Sequence, residues 1–90
     1  MYLFVGLGNP GSQYLLTRHN FGFMAVDTLR QHYNFSDYKE KFRGVVSQGE
    51  INDKACLLLK PATYMNLSGQ SVQSVMSFYK ITIENVYVFH

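Results

Sequence analysis

Tryptophan is absent from this chain, cysteine occurs once and proline twice. A single cysteine, Cys56, excludes an internal disulfide and argues against a zinc cluster. It stands inside the apolar run Ala55–Leu59, which predicts a buried, inert thiol. Charge is scarce too: eight Lys and Arg against six Asp and Glu leave +2, too little to argue a nucleic-acid partner from electrostatics alone. No apolar stretch approaches the roughly 18 residues that a membrane span requires. Met1 leads straight into a short strand-like run without a basic segment, so no secretory leader is read and the expected compartment is the cytoplasm. There is no internal repeat, low-complexity tract or linker, and 90 residues are read as one domain, 1–90, or part of one.

What the chain does have is aromatic side chains. Seven Tyr and seven Phe exceed what a core this small needs, which places some rings at a surface or a cleft. The basic residues are scattered apart from the Lys39–Arg43 cluster, which reads as a solvated loop and whose role the sequence leaves open.

Hydrophobic periodicity supplies the elements. Tyr2–Val5 is a short apolar run ending at Gly6, a buried strand feeding a Gly-rich loop. Asn20 is placed to cap a helix in which Phe21, Ala25, Leu29 and Tyr33 share one face with Val26 beside it, fading near Asn34. His32 falls on the exposed side of that helix. Phe35–Lys41 shows no period and reads as a loop. Phe42–Ile51 and Lys54–Lys60 read as two strands joined by a two-residue turn at Asn52-Asp53, and Pro61 ends the second. From Leu67 onward, Val72, Val75, Met76 and Tyr79 fall at helical spacing, and Asn85–His90 is a last strand-like run. The order strand, helix, hairpin, helix, strand predicts an α/β fold: a mixed sheet with helices packed on it, a single domain, here truncated after the fourth strand. In such sheets ligands bind beyond the carboxyl ends of the strands.

Gly6-x-Gly8-x-x-Gly11 follows the first strand and formally matches a dinucleotide fingerprint. That motif needs a helix opening within it, its free N–H groups facing a pyrophosphate. Here the helical period begins only near Asn20, and Asp27 lies inside the helix rather than at the end of a second strand. The glycines serve a tight turn equally well, while Asn9 in their midst is compatible with either a turn or a functional role.

His19 lies between Asn9, after the first strand, and Asn66, after the third, so one crevice can hold all three. A lone histidine is more often structural, and Asn66 would also cap a helix. Together they suit one chemistry: a histidine acting as general base on water, with amides holding a carbonyl and the water. His19, His32 and His90 lack ligand-like spacing, so no metal is expected.

Val5–Gly11 (V-G-L-G-N-P-G), Tyr14, Thr17–Phe23 (T-R-H-N-x-G-F) and Lys60–Gly69 (K-P-x-T-Y-M-N-L-S-G) together resemble the signatures of bacterial-type peptidyl-tRNA hydrolases. The resemblance runs along essentially the whole chain. It implies hydrolysis of the ester between an N-blocked peptide and the 3′-terminal ribose of tRNA, which returns tRNA to translation. It matches His19 to the catalytic histidine and Asn9 and Asn66 to the amides that position substrate and water. It matches Tyr14 and Met65 to residues lining the peptide and terminal-nucleotide side of the cleft, although Met65 would also fill a core. It further implies a cytoplasmic enzyme, monomeric at full length, without metal, cofactor or membrane contact. In that family an aspartate orienting the histidine follows the strand that here ends at His90, and further substrate-binding residues come later. The 90 residues by themselves are therefore expected to be weakly active or inactive, with an open last strand prone to self-association. The alternative is a non-catalytic module binding tRNA or other RNA 3′ ends.

Overall fold

The computed structural model describes residues 1–8, 21–62 and 68–89. Its elements are β1 (Tyr2–Gly6), α1 (Phe21–His32), β2 (Lys39–Lys41), β3 (Gly44–Ile51), β4 (Lys54–Pro61), α2 (Ser68–Tyr79), a 3₁₀ turn (Ile83–Asn85) and β5 (Val86–Phe89). One mixed sheet holds the strands in the order β2-β3-β4-β1-β5. β1 runs parallel to both β4 and β5, and the hairpin strands β2, β3 and β4 pair antiparallel. The expected α/β architecture is present.

β4 is the centre of the packing. Cys56 to Leu59 are buried in succession, as they must be in a strand covered on both faces. Cys56 and Leu58 meet Val26 and Phe35 on the α1 side, with Phe4 and Leu29 against them. Leu57 and Leu59 join Leu3, Val5, Val46, Val75 and Ile81 on the α2 side. Period-2 alternation thus divides one apolar run between two cores.

Three details differ from the sequence reading. The segment read as loop contains β2, so the sheet has five strands where four were expected, and Phe42-Arg43, read as strand, is the turn between β2 and β3. Lys39-Glu40-Lys41 is exposed throughout and carries no apolar alternation to announce a strand; backbone pairing forms it, and its charges suit an edge. The buried face of α1 is Gly22 and Val26 with half-buried Leu29, whereas Phe21 and Tyr33 are exposed. Gly22 wins that position because only a residue without a side chain can lie as close to the strand ends as α1 does.

Other expectations hold. Asn52 and Asp53 take left-handed backbone angles (φ 52° and 65°) and close a two-residue hairpin. Asn34, where the first helix was expected to fade, has φ 58°. His32 and Cys56 are exposed and buried respectively. Asn20 and Leu67 lie outside the described residues.

Candidate active site

Because β4, β1 and β5 are parallel, their carboxyl ends at Pro61, Gly6 and Phe89 share one edge of the sheet. The segments that carry the sequence motifs begin and end there. Residues 9–20 run between Gly8 and the first residue of α1, and residues 63–67 between Ala62 and the first residue of α2. The candidate residues Asn9, Tyr14, His19, Met65 and Asn66 themselves lie outside the described residues, as does His90. What the fold supplies is the frame from which they depart.

That frame is tight. The Leu7 amide donates to the Phe89 carbonyl at 2.9 Å, tying the end of β1 to the end of β5. Above this bond sits the first turn of α1. A Cβ on Gly22 would overlap the Phe89 carbonyl oxygen and the Leu7 backbone, and one on Gly6 would overlap the Gly22 carbonyl and stand 2.8 Å from Val26 Cγ2. Two glycines facing each other therefore bring the helix that follows the first motif onto the strand ends. Gly6 does so without a positive φ, so close approach and not turn geometry explains it.

The second motif block is tied in by a polar cluster. Lys60, its first residue, donates from Nζ to Asp27 Oδ1 at 3.0 Å, and the Tyr38 hydroxyl donates to the same oxygen at 2.5 Å. Lys60 Nζ also lies 4.3 Å from the centre of the Tyr38 ring and 5.6 Å from that of Phe23. Burial, reinforced by the Asp27 carboxylate, pushes the Tyr38 hydroxyl well above its ordinary range. This cluster joins α1, which follows the first motif, to the end of β4, which leads into the second. The sequence reading placed Asp27 in the helix and Lys60 in the motif but had no signal for their pairing, which depends on how α1 lies across the sheet.

On the other face a cavity of about 550 Å³ separates α2 from β1 and β5, walled by Val5, Leu7, Val72, Met76, Ile81 and Val88. Among the described residues no group of three or more His, Cys, Asp or Glu is placed to hold a metal ion, and no helix is long and apolar enough to cross a membrane.

Residues 3–90 match the family model described as peptidyl-tRNA hydrolase. The chain belongs to the peptidyl-tRNA hydrolase family. A peptidyl-tRNA hydrolase of Rhodospirillum centenum is 54% identical over all 90 residues, and one of Bacillus cereus is 52% identical. The chain spans 40% and 48% of those two proteins, less than half the length of the curated relatives it matches. The crystal structure of peptidyl-tRNA hydrolase from Acinetobacter baumannii superposes with a TM-score of 0.91 at 44% identity, covering 100% of this chain and 46% of that one. Family and fold therefore agree with the resemblance carried by the motif blocks.

Proposed function

We propose that this chain supplies the catalytic histidine and the first substrate-positioning residues of a hydrolase that cleaves the ester between an N-blocked peptide and the 3′ end of tRNA. The observation that carries the reading is the family match over residues 3–90, within which His19, Asn9 and Asn66 stand in the motif blocks. The common departure edge of both blocks supports it, because one crevice can then receive all three side chains.

In the proposed reaction His19 takes a proton from water as the oxygen attacks the ester carbonyl carbon. The amides of Asn9 and Asn66 hold the water and the carbonyl while charge develops on oxygen. The tetrahedral intermediate then breaks its bond to the ribose oxygen, which receives the proton from His19 and leaves as free tRNA. Tyr14 and Met65 line the cleft for the terminal nucleotide and the peptide. No cofactor enters these steps. The working unit is read as a single domain to which residues 1–90 contribute, acting as a monomer in the cytoplasm on peptidyl-tRNA.

The test is release of the free N-acyl-amino acid from N-acyl-aminoacyl-tRNA by a chain of the relatives' length that begins with these residues. His19→Ala should abolish turnover, and the parent rate should fall as pH drops through the imidazole range near ~6.5. Full activity in His19→Ala would refute the mechanism. Binding of an RNA 3′ end without any cleavage would favour a non-catalytic module instead.

A further inference from the structure

The turn between β2 and β3 uses an unusual pair of residues. Phe42 and Arg43 both have φ 57°, the left-handed region that two-residue hairpins require and that Asn-Gly fills most easily. Bulky side chains are disfavoured there, and the hairpin at the opposite end of β3 uses Asn52-Asp53, which tolerate the geometry better. Three hydrogen bonds hold the tip. Ser71 Oγ donates to the Phe42 carbonyl at 2.5 Å, Ala62 N to the Arg43 carbonyl at 2.8 Å, and Arg43 Nη1 to Gln70 Oε1 at 2.8 Å.

Packing accounts for Phe42, whose ring meets Phe78 and Tyr79 at 5.5 and 6.0 Å and lies against the α2-side core. It does not account for Arg43, which is exposed. Its side-chain partner is a neutral amide, and among the described residues no carboxylate pairs with it. Gln70 occupies one guanidinium N–H and fixes the group, leaving the rest of the fork open to an anion.

Position gives that charge a use. Gly44 pairs with Pro61, so the Phe42-Arg43 tip lies at the same sheet edge as the carboxyl ends of β1, β4 and β5. Lys39 and Lys41 are exposed on β2 behind it, with only Glu40 of opposite sign between them. Register puts Glu50, Asp53 and Glu84 at the far end of the sheet. Lys54 and Lys80 accompany those acids at the far end, whereas beside the tip Arg43, Lys39 and Lys41 face only Glu40 on the same hairpin.

We propose that the Phe42-Arg43 tip, backed by Lys41, is a phosphate contact for the RNA strand of the substrate. This rests on the proposed tRNA-ester function and adds to it a named contact outside the motif blocks. A preorganised guanidinium can grip a phosphate in bidentate fashion and hold the strand in register while carrying no sequence information.

The experiment is a titration of a short hairpin RNA with a single-stranded 3′ end, carrying no amino acid, against the 90-residue chain at a series of salt concentrations. Arg43→Gln should weaken binding and reduce the slope of log K against log salt by about 0.7, the value for one lost contact to a single strand. Glu40→Gln should tighten binding, a gain that impaired folding cannot produce, and Lys54→Gln at the far end should leave the slope unchanged. An unaltered affinity and slope in Arg43→Gln would overturn the proposal, as would failure of the parent chain to bind this RNA. Binding is read here without cleavage, so either failure leaves the ester-hydrolysis test to be decided separately.

Discussion

Asp27 and Lys60 form an ion pair of 3.0 Å that spans from the middle of α1 to the end of β4, where the second motif block begins. The two side chains are 33 residues apart in the chain, and their contact joins α1 to the end of β4. Its surroundings are mixed: the Lys60 side chain is 19% exposed and that of Asp27 41%, so solvent screens part of the attraction.

A double-mutant cycle measures the pair. Asp27→Asn keeps the shape and an acceptor for Tyr38, and Lys60→Met keeps the stem. The coupling read from urea unfolding should be about 1 kcal/mol after allowance for screening. Strict additivity of the two substitutions would show that the pair contributes nothing to stability.

Gly22→Ala separates helix propensity from packing. Propensity alone would favour alanine by roughly 1 kcal/mol. The added Cβ would collide with the backbone of Leu7 and Phe89, which cannot move without disturbing the hydrogen bond between them. A net destabilisation of about 1–3 kcal/mol is expected, with faster exchange of the Leu7 amide. A raised melting temperature would mean that α1 can shift outward freely.

Tyr38 makes stability depend on alkaline pH. Its hydroxyl is raised above the ordinary value of 10.0 by burial, by its hydrogen bond to Asp27 and by that carboxylate's charge. The unfolded chain therefore loses this proton first, so the tyrosine's contribution is complete below pH 10.0 and declines as pH rises beyond it. Tyr38→Phe should flatten that decline while costing about 1 kcal/mol near neutrality through the lost hydrogen bond. Denaturant midpoints at several pH values, with tyrosinate absorbance followed alongside, provide the check. Equal slopes in both proteins would refute the assignment.

Cys56 should resist thiol reagents in the folded protein. It is 3% exposed, and burial raises its thiol above the model-compound value. Thiolate is therefore scarce and access is closed, so labelling should proceed only through opening of the β4 region. Labelling with an aromatic disulfide should accelerate in parallel with unfolding as urea is added. Rapid reaction without denaturant would indicate that the α1 side of the sheet opens locally.

Much of this protein was legible from local pattern. The apolar run at Tyr2–Val5 announced a buried strand, Lys54–Lys60 announced a strand of the hairpin with Cys56 buried in it, and 3.6-residue spacing located both helices. Asn52-Asp53 announced its hairpin because those side chains tolerate φ > 0. The motif blocks carried the family, since each is a contiguous run of residues at set spacing and so leaves a linear trace. β2 left none: its three exposed charged residues are a strand only because β3 offers backbone partners. Nor could periodicity choose Gly22 over Phe21 as the buried edge of α1, because that choice follows from backbone approaching backbone at the strand ends. The Asp27–Lys60 pair and the placement of Arg43 beside Gln70 belong to the same class. Sequence by itself determined the family and the elements other than β2, which depend on near neighbours along the chain. Tertiary structure alone decided which charges meet and which edge they share, because those relationships join residues that only the strand order brings together.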